Sequence, residues 1–274
     1  MIRTPPALAV LTLAGQLLVL VAGHLLVPMA GHAQPAQGVP EWLQKLRLPN
    51  SAAKSIMTPS AWGAAFGSAF LGVGVTERSP YLSSADGIVA MGYGMGDPVL
   101  KVGLQIGTTV SDLSEFNNVS FSFKLHRYLA RGTSIAVGGE SLFSNDVFAD
   151  DAGDTFYFVV SHVVQAFGSS RRGIGRVHVS AGVGSGRFAR KSDRDFSEGK
   201  GRNGTAVFGN VALEVARGTN IIFEWSGTNL LTGVSRTIQT QNVPISLSLA
   251  ITDLTHYSGS GVRVLGGAAL AVSF

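Results

Sequence analysis

The 274 residues contain no cysteine. That excludes a disulfide framework, a thiolate nucleophile and any Cys-ligated zinc or iron-sulfur centre. Charge is scarce as well: Asp, Glu, Lys and Arg together make up 14%, against about 25% in ordinary soluble domains. A water-exposed exterior of the usual kind is hard to build from so few charges. Clustered Lys/Arg stripes are missing too, and the formal net charge is only +4, so no nucleic-acid partner is expected. Glycine is abundant instead, at 35 residues, where average usage of about 7% would give roughly half that number. Aliphatic and aromatic residues reach 45%, which excludes global disorder.

A long apolar run occurs only at the N-terminus. Arg3 precedes a largely apolar stretch from Ala7 to Val27, and Gly31-His32-Ala33 follows. Positive start, apolar middle and small-residue end are the order of a secretory signal, so residues 1–33 are expected to be a cleaved signal peptide. The rival reading is an uncleaved span, but Gln16, His24 and Pro28 interrupt the run. Residues 34–60 are rich in Pro, Gln, Ala and Ser. They read as a linker, with a short helix at Glu41 to Leu48 entered through Pro40.

Beyond that point the period is two. Val119, Phe121, Phe123 and Leu125 alternate with Ser120, Ser122, Lys124 and His126, and Ile245, Leu247, Leu249 and Ile251 alternate with Ser246, Ser248, Ala250 and Thr252. Alternation of this kind is strand periodicity. Runs like these predict twelve strands, at about 62–76, 86–96, 99–111, 118–129, 134–144, 155–167, 175–188, 205–217, 220–228, 230–239, 243–254 and 262–274. Gaps after odd-numbered strands are mostly long and polar, and those after even-numbered strands mostly short. That asymmetry, with an even strand count, is the pattern of an antiparallel transmembrane β-barrel. The face opposite the apolar one is mostly Gly, Ser, Ala and Thr. It suits a confined lumen better than bulk water, so the apolar row should face lipid. Trp62, Tyr93, Tyr128 and Trp225 fall near predicted strand ends, where aromatic rings favour the headgroup level.

The chain ends on Phe274, with Val272, Leu270 and Ala268 on the same face. This resembles the last strand of Gram-negative outer-membrane β-barrel proteins, porin-like in general pattern. Gly94-Met95-Gly96-Asp97-Pro98 and Phe123-Lys124-Leu125-His126-Arg127-Tyr128 are similar to phrases in small barrels of cyanobacterial outer membranes. The resemblance implies that Ala268, Leu270, Val272 and Phe274 form the signal read by the barrel-assembly machinery. It further implies an outer-membrane location, a bilayer and lipopolysaccharide as partners, and homo-oligomers as one assembly state. The expected organisation is then signal peptide 1–33, periplasmic linker or short helix 34–60, and a twelve-stranded all-β barrel over 61–274.

The predicted inward positions are Lys101, Gln105, Lys124, His126, Glu140, His178, Asn210, Glu214, Glu224, Arg236 and Arg263, with His162 added from a strand that is apolar on both parities. Lys101, Lys124 and His126 would face Glu214 and Glu224 across the ring. Opposed charge across a narrow passage focuses a field on a solute, so the leading expectation is a passive diffusion channel for ions or small polar solutes. Alternatively, Lys124 with Glu140 and Arg236 with Glu224 are neutralised pairs bracing a closed lumen. A third reading is a closed barrel acting through its loops, where acids at Asp146 to Asp154 or bases at Arg190 to Arg202 would meet ions or saccharide phosphates. A lipid hydrolase would need Ser, His and an orienting group together on the lipid face. With His126 and His178 predicted inward, no enzyme is expected. No cofactor and no metal site are expected either.

Overall fold

The computed structural model describes residues 53–111, 118–129, 132–144, 153–164, 175–240 and 243–273. Alternating sequence becomes strand in twelve elements: β1 Ser68–Thr76, β2 Asp86–Gly96, β3 Gly103–Val110, β4 Val119–Tyr128, β5 Thr133–Leu142, β6 Thr155–Val164, β7 Val177–Gly184, β8 Val207–Ala216, β9 Thr219–Trp225, β10 Leu230–Gln239, β11 Pro244–Thr252 and β12 Arg263–Ser273. Each pairs antiparallel with its sequence neighbours, and β1 pairs with β12 from Ser68↔Ser273 to Thr76↔Leu265. The sheet is a closed barrel, so no strand edge is left open.

Register sorts every strand into two rows. The pairings Gln105↔Lys124, His126↔Ala136, Ser134↔Ser161, Ser180↔Asn210, Asn210↔Glu224 and Ser248↔Gly267 place one continuous polar and small-residue row inside. The opposite row carries Ile106, Phe121, Leu125, Phe158, Val183, Phe223, Val234 and Leu249, all exposed. Where the chain ends meet, Leu71, Val73, Val89 and Leu270 pack as one cluster on that outer row.

The two rims differ as the sequence predicts, with two departures. The connections that follow odd-numbered strands, 77–85, 111–118, 143–154, 185–206 and 253–262, all start from one rim, the long one, and the opposite rim includes the two-residue turn Arg217-Gly218, with Gly218 at φ 72°. The β9–β10 connection, 226–229, is short although it lies on the long rim. The β6–β7 connection, 165–176, is long although it follows an even-numbered strand.

β1 begins at Ser68, six residues later than predicted. The chain before it does not extend the wall but runs inside the barrel. Trp62 is buried there against Tyr128, ring centroids 5.5 Å apart. Neither ring therefore belongs to a headgroup belt; both are lumenal. Tyr93 and Trp225 stand on the outer row. Beside them in the interior, Ala61, Ala136, Tyr157, Val159, Phe188 and Phe208 form a buried apolar cluster. Phe188 stacks on Phe208 at 4.1 Å. Gly182 makes room for this, since a Cβ there would run into the Phe208 ring.

Candidate functional site: the occupied lumen

Residues 53–65 cross the lumen and are held by the inner row. The segment starts low, near the short-turn rim, where the Ala53 carbonyl accepts from Asn220 Nδ2 (3.0 Å) and Ser235 Oγ (2.6 Å). Lys54 Nζ donates to Asn220 Oδ1 (2.8 Å), and the Lys54 carbonyl accepts from Asn210 Nδ2 (3.2 Å). It rises to Glu224, whose carboxylate accepts from the backbone N–H groups of Ile56 (2.9 Å), Met57 (2.6 Å) and Thr58, and from Ser55 Oγ (3.1 Å). At this apex the Met57 carbonyl accepts from Arg187 Nη2 (2.6 Å). The descent passes β5 and β6, where Ala61 N–H donates to Ser161 Oγ and the Ala61 carbonyl accepts from Ser134 Oγ, both at 2.8 Å. It ends on β4 and β3: Trp62 and Gly63 carbonyls accept from Lys124 Nζ and Tyr128 Oη, both at 3.1 Å, and Ala64 N–H donates to Gln105 Oε1 (2.9 Å). Gly63 and Gly103 flank the His126 ring; a Cβ at Gly103 would lie 2.6 Å from it.

Of the predicted lumen residues, Gln105, Lys124, His126, Glu140, His178, Asn210, Glu214, Glu224 and Arg263 stand on the inner row. Three predictions are corrected. Lys101 is exposed in the β2–β3 turn, its N–H bonded to the Asp97 carbonyl, because β3 starts only at Gly103. Arg236 is exposed on the outer row opposite Leu247 and Thr219, not beside Glu224, which faces Leu231. His162 is also outward, its Nδ1 2.9 Å from Thr133 Oγ1, while Ser161 points inward. The predicted opposition of charged walls is replaced by anchoring, since Lys124 and Glu224 both bind the internal segment. Glu140 pairs with Arg187, Arg263 with Asp253 (2.6 Å), and Glu214 Oε1 accepts from the turn N–H of Gly218 (3.0 Å).

Ala268, Leu270 and Val272 share the outer row, opposite Val73, Leu71 and Ala69. Phe274 lies outside the described residues, as do residues 1–52 and the acids of 145–152. Among the described residues no three His, Asp or Glu side chains are grouped to hold a metal.

The segment lies against β3–β6 and β8–β10, which leaves space along β1, β2, β11 and β12. A cavity of about 360 Å³ lies there, walled by Gly72, Gly74, Ile88, Ala90, Ser248 and Ala269 and closed on the other side by Ser55, Ile56 and Met57. Above it a vestibule of about 790 Å³ opens towards the long rim. Met57, Asp86 and Ile88 line both.

A cap partly covers the vestibule. The β7–β8 connection carries a 3-10 turn, Gly186–Phe188, and helix α1, Asp193–Ser197, which opens on a capping box between Ser192 and Asp195. Asp195 Oδ1 accepts from Tyr81 Oη (2.6 Å) and from the Gly259 N–H (2.7 Å), joining three loops. Burial and the hydrogen bond to Asp195 push the Tyr81 phenol well above its ordinary value. With the folded value raised, its contribution is complete below about pH 10 and is lost only as pH climbs through the higher folded value. Tyr81→Phe should cost about 1–3 kcal/mol of cap closure. Limited trypsin digestion should then cut after Arg190, Lys191 or Arg194 faster than in the wild type, and equal rates would refute the tie.

Sequence reasoning did not find Ser134, Ser161, Asn220 and Ser235 as anchors, or Arg187 as a loop residue reaching the lumen. For Ser134 and Asn220 the only signal was a small polar side chain on the inner parity, which reads equally as space for water; Ser161 and Ser235 were hidden by the inward placement of their neighbours His162 and Arg236.

No family model matches the chain, and no curated protein matches it. Among solved structures it is similar to Neisserial surface protein A, at 11% identity over 77% of this chain and 100% of that chain, with a TM-score of 0.24. It is also similar to the transport unit of the autotransporter AIDA-I from Escherichia coli, at 11% identity over 85% and 97% of the two chains, with a TM-score of 0.29. The fold itself, a closed antiparallel twelve-stranded barrel with an apolar outer row, rests on its register.

Proposed function

We propose that the chain is an outer-membrane barrel through which small solutes pass passively along the β1–β2 and β11–β12 wall, narrowed by residues 53–65. The observation that carries this reading is the pair of stacked cavities beside the anchored segment, sharing Met57 and Ile88. The membrane setting is supported by the outer row: soluble proteins rarely expose apolar patches of more than a few hundred Å², and here apolar side chains are exposed on strand after strand. The longer loops would face outward and the shorter turns the periplasm. Arg127 and Arg236, exposed near the short-turn ends of β4 and β10, are long enough to reach headgroups. On this reading Ala268, Leu270, Val272 and Phe274 serve barrel assembly, and exposed Arg202 faces lipopolysaccharide.

The absence of cysteine makes the test direct. Planar-bilayer recordings on the refolded full chain should show small currents. A negatively charged methanethiosulfonate should reduce them at Ala90→Cys or Ser248→Cys and leave Leu249→Cys unaffected. Currents insensitive at all three positions would overturn the assigned path. No current in any form would favour a second reading, a closed barrel acting through its loops, which the Asp195 contacts to Tyr81 and Gly259 support.

A further inference from the structure

The lower cavity has the wrong character for a simple water-filled lumen, which in transmembrane barrels is polar. Its surface is mainly apolar, with Ile56, Met57, Ile88, Ala90, Leu265 and Ala269 beside bare glycine backbone, and its polar members are Ser55, Thr76, Asp86, Ser246 and Ser248. Ile88 stands on the inner row, opposite Gly74, yet remains 43% exposed, so its exposed surface faces the cavities. A mainly apolar wall favours a ligand whose apolar part displaces water from it. The vestibule above has the opposite character. Five bases and three acids line it. Two of those acids are committed, Asp253 to Arg263 and Asp195 to Tyr81 and Gly259. The third, Asp86, accepts from Ser79 Oγ (3.0 Å) and the Gly87 N–H (2.7 Å). Arg187 and Arg263 are paired, whereas the exposed Arg190 side chain makes no hydrogen bond or ion pair among the described residues.

From this arrangement we propose that the vestibule and the lower cavity are one binding site for a small anionic amphiphile. A carboxylate or phosphate head sits near Arg190, and an apolar tail passes Met57 and Ile88 into the cavity below. The two volumes, about 790 and 360 Å³, fall in the range of about 300–1,000 Å³ typical of small-molecule sites. Excess positive charge at a low-dielectric mouth raises the local concentration of anions, and the apolar cavity rewards a tail that water does not. The proposal rests on the reading of this lumen as a solute path and names its substrate class.

The test uses the full chain refolded in lipid nanodiscs and three photoreactive probes carrying the same diazirine tail: dodecanoate, dodecyl phosphate and dodecanol. Peptide mapping after irradiation should find inner-row labels at Met57, Ile88 or Ala269 with at least one anionic probe. The stronger of the two then distinguishes a free fatty acid from a phosphate lipid as source. Arg190→Gln should lower inner-row labelling about tenfold. Ala90→Phe should abolish it by filling the cavity, with Ala269→Leu as the second filling variant should the first not fold. Labels at Leu247 and Leu249 on the outer row report membrane insertion and should persist in every variant. Outer-row labels without inner-row labels would overturn the site while leaving the membrane barrel standing. Equal inner labelling by dodecanol would overturn the anionic head. Loss of outer labels in the wild type would instead overturn the membrane reading itself.

Discussion

Leu249→Arg should destabilise the refolded barrel in lipid vesicles by about 2–4 kcal/mol, the cost of an arginine at the depth of a bilayer midplane. Leu249 lies mid-strand on β11, paired with Val234 and Gly266 on the outer row, and is 56% exposed. Its exposure makes the substitution decisive. If the outer row met water, replacing a half-exposed leucine would change stability by no more than about 0.5 kcal/mol, because the arginine would be hydrated and no packing would be lost. In lipid the guanidinium must be dragged from water or thin the bilayer around it. Urea titration into and out of vesicles, followed by the shift in electrophoretic mobility on heating, measures the difference. Arg236→Leu is the mirror case. Arg236 is on the same row but one turn from the Gly218 rim, and the Thr237 N–H donates to the Gly218 carbonyl (2.7 Å). At that depth charge costs about 0–1 kcal/mol, so the replacement should be nearly silent. A neutral Leu249→Arg would sink the lipid-facing assignment.

The strands were legible because their cause is local. On β11, and on β4 as far as His126, every second residue is large and apolar and the others small or polar, and one period of two determines element, face and neighbour together. β6 shows where that argument fails. Phe156, Phe158 and Val160 face out while Tyr157, Val159 and Val163 face in, so both rows are apolar and the face of His162 cannot be read from its own strand. The inner row is apolar there because Phe188 folds in from the β7–β8 connection and Phe208 stands on β8. Arg236 fails for another reason. A charge at a strand end can reach the membrane surface from the outer row, so charge alone does not mark the lumen. The occupied lumen was the least legible feature. Residues 53–65 carry no period, and their anchors lie 41 to 182 positions away in sequence. Trp62 to Phe66 is as apolar as β1, so it reads as wall although Phe66 N–H bonds to the Gly96 carbonyl and the chain before it turns inside.

Glu224→Leu should open the passage. The carboxylate is buried and accepts from three consecutive backbone N–H groups and one hydroxyl at the apex of the internal segment. Leucine has a similar volume and no acceptor, so the buried N–H of Thr58 and the part-buried N–H groups of Ile56 and Met57 would lose their partner, at up to about 1–3 kcal/mol each. Few other contacts hold the apex. The Met57 carbonyl keeps Arg187, and Thr252 Oγ1 lies 3.9 Å from its sulfur. The flanks are held separately, by Asn220 and Ser235 on one side and by Ser134, Ser161, Lys124 and Tyr128 on the other. The freed apex should therefore leave its site while both ends stay fixed, swinging up into the vestibule that Met57 already lines and so uncovering the lower cavity. Amide exchange at Ile56, Met57 and Thr58 should accelerate by about 100-fold or more with β9 and β10 still protected, and single-channel conductance should rise in the same protein. Glu224→Gln keeps one acceptor oxygen but turns an amide donor towards N–H groups, so it should fall between. Fast exchange at the apex without a rise in conductance would show that the segment does not gate the passage. Slow exchange at the apex would show that Glu224 is not what holds it.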